Sequence, residues 1–355
     1  MKPNARNGKV DLLKFIFSII VIIYHFDNAV KYPNGIFTKG YIGVEFFFVT
    51  SGFLFAKSLS KFNYQKDTLI PNSVGFMKKK FLSFFPYHFF FFTATFIYAA
   101  INYGWTLKRA FSQLFKSIPD LMMLRMNGIS NLPLLGHEWY ISAMLIVMFI
   151  LTPVAIKYRK AFLYYICPIL CVGLLGFLYH QKHDLDFVSQ WTGICQAGIL
   201  RAAAELSLGG ICYAVYEKGY LNKIPKALLL TAELVLYAII LLYSVGIFNI
   251  FKELNDYTIL FLAAPAVFIS FSDRASVRFL NNRFVYFLGK ISFPIYLSQI
   301  FIRQILAPVP FPSYALHTTV YVACVILVSL ICMLVMDNLQ KLIRHFRNKA
   351  KTSDK

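Results

Sequence analysis

VDLLKFIFSIIVIIYHFDNA, residues 10–29, is long and apolar enough to cross a bilayer as a single helix. Two ionisable side chains interrupt this stretch, Lys14 and, further along, His25. Ionisable groups inside a membrane helix are energetically costly, so they usually face a protein interior or a water-filled cavity. The stretch therefore predicts a membrane-spanning helix that carries functional residues.

Similar apolar stretches recur along the whole chain of 355 residues. Hydrophobic residues make up 58% of it and charged residues 15%, below the roughly 25% charged that is typical of soluble proteins. We therefore expect an all-α, polytopic integral membrane protein with about ten transmembrane helices. Residues 1–342 are expected to form one transmembrane domain and residues 343–355 a basic cytoplasmic tail. The expected spans are residues 11–30, 40–59, 82–102, 138–156, 161–180, 196–216, 227–248, 257–272, 285–306 and 317–337.

The 36 lysines and arginines, which contribute to a net charge of +20, indicate how the chain is oriented. With the N-terminus in the cytoplasm, 24 of them fall in cytoplasmic segments and 8 in outer loops. Lys14, Arg201, Lys290 and Arg303 lie inside spans. Because cytoplasmic loops of membrane proteins carry such an excess, we expect both termini in the cytoplasm. Membrane orientation thus accounts for most of the positive charge, and no nucleic-acid partner is needed to explain it.

Neither a cleaved leader nor a metal site is expected. The first apolar run carries Lys14 and His25, lacks a small-residue cleavage site before Lys31 and is longer than the apolar region of a signal peptide. The cysteines lie in or beside apolar stretches without metal-ligand spacing, so we expect small core residues. They are Cys167, Cys171, Cys195, Cys212, Cys324 and Cys332.

The longest outer segment contains an amphipathic stretch, from Trp105 to Ile118. Helical spacing places apolar side chains on one face and lysine, arginine, serine and glutamine on the other. Such a helix lies in the membrane interface or packs against the bundle, and the sequence leaves both open. The apolar face consists of Phe111, Leu114, Phe115 and Ile118.

Lys14 and His25 are too far apart for direct contact. At 1.5 Å per residue they are separated by about 16 Å along the helix axis, and His25 lies about 20 Å from the cytoplasmic end. A neutral imidazole there could accept a proton from an attacking hydroxyl, while Lys14 could meet an anionic group entering from the cytoplasm. The alternatives are a buried histidine bonded to a neighbouring helix and a lysine that extends to the headgroups.

Glu45, in the second expected span, needs a polar partner at that depth. His25 or Arg201 would serve, and as a partner of His25 the carboxylate would orient the imidazole. Arg201 could equally form an internal ion pair with Glu205, one helical turn later. The small residues at Ser51-Gly52 permit close approach of another helix.

Two further groups are candidates for binding. Lys78, Lys79 and Lys80 precede the third span, where they contribute to orientation and could also bind a phosphate-rich carrier. His137, Glu138 and Trp139 open the fourth span at the outer face, where they could bind sugar hydroxyls or lie in the aromatic belt.

Buried charges of this kind occur both in enzymes and in secondary transporters or glycan exporters. Two features favour an enzyme: no inverted repeat of discontinuous helices is evident, and polar residues concentrate in the first two spans. The discriminating property is acyl transfer, which an exporter would lack.

Five motifs in this order resemble acyltransferase family three, the integral-membrane acyltransferases of bacterial envelopes. They are a basic residue and a histidine separated by ten intervening residues in span one, here Lys14 and His25; GVEFFFVTSGFLF, with Glu45; KKKFLSFFP; EWYISAML; and GKISFPIYLSQ. The resemblance extends over most of the chain.

The resemblance implies an acyl-CoA donor, usually acetyl-CoA, which binds from the cytoplasm and is a substrate rather than a permanently bound cofactor. The acceptor would be a hydroxyl of a polysaccharide or glycolipid at the outer face of the bacterial inner membrane. His25 would be the essential histidine, and a basic cytoplasmic entrance would bind the phosphates. Whether the protein forms a homo-oligomer is left open.

The chain departs from the family pattern at two positions. Met144 stands where one form of the fourth span carries a glutamate, and Gln299 stands where the late helix often has a histidine. The roles of those two family residues are therefore not carried over. No extracytoplasmic esterase-like domain is expected after the tenth span.

Overall fold

The computed structural model describes residues 6–32, 35–129, 134–247 and 254–353, with side chains up to Leu342. Over these ranges the chain is helical, and its β structure is limited to one isolated bridge, between Trp191 and Gln196. The expectation of an all-α protein is thus confirmed. The helices are α1 (Gly8–Val30), α2 (Gly43–Leu59), α3 (Leu69–Asn102), α4 (Leu107–Lys116), α5 (Ile118–Leu121), α6 (Trp139–Lys157), α7 (Arg159–Ala161), α8 (Cys167–Gln181), α9 (Ala197–Glu217), α10 (Lys226–Val245), α11 (Asp256–Ser270), α12 (Arg283–Leu306) and α13 (Tyr314–Ser353).

Within the described ranges, eight helical segments are long and apolar enough to cross a membrane. They are Gly40–Leu59, Lys66–Asn102, Gly136–Lys157, Arg159–Gln181, Ala197–Glu217, Lys226–Val245, Arg283–Leu306 and Tyr314–Leu342. Helix α1, with 23 residues, is as long as a span, and α11 is a shorter apolar helix of 15 residues. The chain is thus a multi-pass membrane protein, while the count of ten spans and the side of the termini stay predictions.

Two helices extend further than the sequence predicts. Helix α3 begins at Leu69 rather than at residue 82, because Pro71 is tolerated in the first turn and no other proline lies between it and residue 82. The three lysines therefore lie on the helix itself. Helix α13 continues to Ser353, so no helix end separates the transmembrane domain from the expected tail at residues 343–355.

Helices α2 and α9 pack with their backbones in close contact. A Cβ atom at Gly52 would lie 2.1 Å from the carbonyl oxygen of Leu206, and one at Gly209 would lie 2.2 Å from that of Val49. Only glycine permits this approach, so Ser51-Gly52 functions in packing as the sequence suggests.

Helix α1 lies at the junction of two groups of buried side chains. On one side Phe17 and Val21 pack with α2, and on the other Ile22 and Phe26 pack with α12 and α13. Gly289 of α12 brings that helix against α1, since a Cβ there would lie 2.3 Å from the Cβ of Asp11. The ionisable residues of α1 therefore face the protein interior.

Helix α4 forms within the expected amphipathic stretch, and the Thr106 hydroxyl caps its N-terminus by accepting from the Arg109 N–H at 3.3 Å. Its apolar side chains point away from the bundle: Phe111 is 71% exposed and Phe115 is 76% exposed. An apolar face with such exposure among the described residues favours the membrane interface over packing against the bundle.

Candidate active site

His25 lies in the last third of α1, where its ring stacks on that of His137. The ring centroids are 3.6 Å apart and the planes are inclined by 19°. His137 belongs to the 3₁₀ turn Gly136–Glu138, which leads directly into α6. Both histidines are partly exposed although they lie deep in the bundle. The structure thus brings together two histidines that the sequence placed on different spans.

Helix α12 holds His137 by two contacts. The Tyr296 hydroxyl donates a hydrogen bond to the backbone carbonyl of His137, and Nη1 of Arg303 lies 3.3 Å from its Nε2. Tyr296 and Arg303 are two turns apart on α12, so both reach the same 3₁₀ turn. His25, His137, Tyr296 and Arg303 therefore form one polar cluster between α1, α6 and α12.

A wide cavity of about 500 Å³, which we name the mouth cavity, opens where the N-terminal end of α1 meets the ends of α2, α9 and α11. Its walls carry five basic side chains together with two aspartates. The polar and charged residues of its lining are Arg6, Asn7, Lys9, Asp11, Lys14, Lys57, Ser58, Lys61, Ser272, Asp273, Ser276 and Asn281.

A second cavity of about 290 Å³, the inner cavity, continues from the first. The two share Lys14, Leu54 and Gly289. The inner cavity is lined largely by apolar and aromatic side chains and extends to Tyr296. Tyr296 contacts His137, so the inner cavity extends to a residue that touches the histidine pair, although neither His25 nor His137 lines either cavity.

A hydroxyl pair lies along the inner cavity. Ser51 Oγ and the Tyr140 hydroxyl are 2.9 Å apart, and the Tyr140 ring lies edge-on to that of Tyr296 with centroids 6.0 Å apart. Met144 also lines the cavity, on the same helix as Tyr140. One form of the family carries a glutamate at the position of Met144, so in this protein the wall of the inner cavity is apolar at that point.

The structure corrects the expectation that Glu45 orients His25. Glu45 Oε1 accepts a hydrogen bond from Nη2 of Arg201, and Glu45 Oε2 has no hydrogen-bond partner among the described residues. Arg201 Nε also donates to Glu205 at 2.8 Å. A buried guanidinium attracts a carboxylate more strongly than a neutral imidazole does, and this pairing joins α2 to α9.

Trp139 belongs to the same charged cluster rather than to the outer surface. The Arg201 guanidinium lies over its ring at 5.1 Å, and Trp139 is only 7% exposed. This cation–π contact accounts for the buried indole, so Trp139 lies on the Arg201 side and not at an acceptor-binding surface.

Glu138 is also buried, with 1% exposure, and neither of its carboxylate oxygens has a hydrogen-bond partner in the described part of the chain. Arg125, in the preceding 3₁₀ turn, is the nearest opposing charge. Burial lowers the pKa of the Arg125 guanidinium, against the opposite effect of Asp120 and Glu138. Of the three residues expected on the acceptor side, His137 is thus the one that lies beside His25.

The three lysines of α3 separate on the helix. Lys80 lines the inner cavity together with Lys14, whereas Lys78 and Lys79 are exposed and line neither cavity. Successive residues on a helix point about 100° apart, so a run of three cannot face one cavity. Of the three lysines, Lys80 is thus the one that lines a cavity, and binding of the donor by these residues stays a prediction.

Sequence reasoning missed two basic residues that the structure places in the mouth cavity, Lys57 and Lys61. Lys57 lies in the last turn of α2, and Lys61 follows four residues later, just beyond the end of the helix at Leu59. That spacing was visible in the sequence, but only the meeting of α2 with α1 and α9 makes it part of a cavity.

One comparison with known proteins identifies the chain. A family model described as an acyltransferase domain, acyltransferase family 3, matches residues 7–336, which is nearly the whole chain. No curated protein and no solved structure matches it. The matched region includes Lys14, His25, both cavities and the polar cluster around His137. The chain therefore belongs to acyltransferase family 3 and is a multi-pass membrane acyltransferase.

Proposed function

We propose that the protein is an O-acyltransferase that moves an acyl group, in the first place acetyl, from cytoplasmic acyl-CoA to a hydroxyl of a surface or exported polysaccharide. The observation that carries this proposal is the pair of adjoining cavities, basic at the mouth and apolar further in, which extends to Tyr296, the residue that contacts His137 and through it the stacked His25. Coenzyme A has the same distribution of chemistry, with phosphates at one end and a thioester at the end of a narrow arm.

The mouth cavity is the proposed site of the nucleotide end. Several of its cations already have acidic partners: Lys9 bonds Glu233 at 2.6 Å, and Asp11 pairs with Arg6 and with Lys14. Lys57 and Lys61 have no carboxylate within 4 Å among the described residues. These two lysines are therefore the cations that remain for the phosphates.

The inner cavity is the proposed path of the thioester arm. Lys14 lines it where it adjoins the mouth cavity, and Tyr296, which contacts His137, also lines it. Apolar walls suit the uncharged arm and keep water from the thioester, which would otherwise hydrolyse.

His25 is the proposed general base. Its imidazole accepts the proton of the acceptor hydroxyl as the oxygen attacks the thioester carbonyl carbon, and the carbonyl π electrons move to oxygen. When this intermediate collapses, the C–S bond breaks and the sulfur receives the proton from His25. The products are an O-acyl ester and free coenzyme A, and the enzyme is unchanged.

The acceptor would approach from the face opposite the mouth cavity, where the Gly136–Glu138 turn begins α6. The family resemblance supports a polysaccharide or glycolipid acceptor and a location in the bacterial inner membrane. Partial exposure of His25 and His137 supports access of a hydroxyl to this region.

Mass spectrometry of surface glycan tests the proposal directly. Glycan from a strain that lacks the protein should have lost an O-acyl group that the parent strain carries, and purified protein should restore it from labelled acetyl-CoA or succinyl-CoA. Export of unmodified glycan by the protein, without any acyl transfer, would instead support a transporter.

Replacing Lys57 and Lys61 together with alanine is expected to weaken coenzyme A binding by about 30-fold. Lys57, which is half-buried, and Lys61, which is exposed, are each assigned about 1 kcal/mol, and every 1.4 kcal/mol changes the dissociation constant about tenfold. Isothermal titration calorimetry of the protein in nanodiscs measures this constant.

The matched control is Lys78→Ala with Lys79→Ala, which removes two exposed lysines that line neither cavity. Its dissociation constant should equal that of the unmodified protein. If the two double variants bind coenzyme A equally well, the mouth cavity is not the phosphate site.

A further inference from the structure

Four basic residues lie inside expected spans, and three of them have a carboxylate partner in the structure. Lys14 lies 3.7 Å from Asp11, Lys290 lies 3.0 Å from Asp337, and Arg201 pairs with two glutamates. Arg303 forms no ion pair within 4 Å among the residues that the structure describes. It is thus the exception in this set.

A guanidinium without an ion pair is energetically costly within a membrane helix, so the position of Arg303 requires an explanation. The one side-chain hydrogen bond found for Arg303 in the described part of the chain joins its Nη1 to Nε2 of His137. Arg303 as a residue is partly exposed, and a guanidinium carries five N–H donors, of which this contact uses one. Donors therefore remain for a ligand beside the histidine pair.

The contact also defines the state of His137. Because Arg303 is always a donor, Nε2 of His137 accepts and carries no proton, and the ring is neutral. The cluster of two imidazoles and one guanidinium therefore keeps the positive charge on Arg303.

We propose that Arg303 is a catalytic residue that stabilises the negative charge on the acyl carbonyl oxygen during transfer. This inference rests on the proposed function. As the acceptor oxygen bonds to the thioester carbon, the carbonyl π electrons move to the oxygen and make it an oxyanion. Arg303 donates N–H groups to that oxyanion until the C–S bond breaks and the carbonyl re-forms.

The structure supplies the conditions under which such a charge is effective. No carboxylate among the described residues competes for Arg303, and the cluster lies in a protein interior where Coulomb attraction is stronger than in water. Arg201 is buried and neutralised by Glu45 and Glu205, and each of its three nitrogens already donates a hydrogen bond.

Two conservative variants separate the charge from the hydrogen bond to His137. Arg303→Gln retains an N–H donor for His137 but has no charge, whereas Arg303→Lys retains the charge but lacks the planar array of N–H donors that the guanidinium provides. The matched control is Lys290→Gln, which removes another cation from α12. Lys290 pairs with Asp337 at the surface, where both side chains are 43% exposed.

The assay uses purified protein in nanodiscs, labelled acetyl-CoA and surface glycan isolated from a strain that lacks the protein. Arg303→Gln should reduce kcat by about 10²–10³-fold, the range found when one oxyanion donor is removed, with the KM for acetyl-CoA within about threefold. Arg303→Lys should retain more activity than Arg303→Gln, and Lys290→Gln should match the unmodified protein. Added guanidinium ions should partly restore turnover to Arg303→Ala.

The outcomes distinguish this inference from the proposed function. If the unmodified protein transfers no acyl group, the proposed function fails and the role of Arg303 fails with it. If the unmodified protein is active and Arg303→Gln keeps its kcat, or only its KM rises, the role of Arg303 alone is overturned. If Arg303→Gln does not fold, as judged by loss of coenzyme A binding, Arg303→Ala is tested instead. Failure of added guanidinium ions to restore any turnover to Arg303→Ala then overturns the role of Arg303 as well.

Discussion

Replacing His25 with alanine is expected to reduce acyl transfer by about 10²–10⁴-fold, the contribution typical of a positioned general base. Binding of coenzyme A should be retained, because the mouth cavity is separated from His25 by the length of the inner cavity. The imidazole is partly exposed, so its loss removes a stacking contact with His137 without leaving an unpaired buried group. Release of coenzyme A from labelled acetyl-CoA in the presence of glycan measures the effect.

The control is His183→Ala, which removes an exposed imidazole from the loop after α8. It should leave kcat unchanged. Turnover of His25→Ala within threefold of the unmodified protein, with intact coenzyme A binding, would rule out His25 as the base. Mass spectrometry of rapidly quenched protein would show an acyl group on His25 if it forms a covalent intermediate rather than acting as a base.

The hydropathy of the sequence was enough to predict most of the fold. Uninterrupted apolar runs predict helices because the bilayer leaves backbone groups no other partner. The ends were predicted less well, as α3 shows: its first turns carry lysines and polar residues and form a helix without being apolar. Hydropathy detects the part of a helix inside the membrane and not its continuation beyond it.

The candidate site was predicted in part. Lys14 and His25 were recognised because ionisable residues are conspicuous in an apolar helix. His137 was not predicted as the partner of His25, because that contact depends on the rotation of each helix about its own axis. Glu45 lies in the first turn of α2, and its side chain faces Arg201 on α9. A nearly uniform apolar sequence carries little pattern from which to predict which face of a helix points to which neighbour.

The second large effect concerns the charged cluster of Glu45, Arg201 and Glu205, each at most 2% exposed. Arg201→Met is expected to destabilise the protein by about 3–5 kcal/mol, because it leaves two buried carboxylates without a cation. The fraction of protein that stays monodisperse after heating in detergent measures the change. Arg159→Met is the control: its pair with Glu217 is 42% and 30% exposed, so the loss should be at most about 1 kcal/mol.

A triple variant separates stability from catalysis at the same cluster. Glu45→Met, Arg201→Met and Glu205→Leu together replace all three charges by apolar groups of similar size, which should recover most of the lost stability. Because Glu45 contacts Arg201 and not His25, we expect the triple variant to transfer acyl groups as well. A stable triple variant without acyl transfer would show that Glu45 acts in the reaction. A single variant Arg201→Met as stable as the unmodified protein would show that the ion pair does not join α2 to α9.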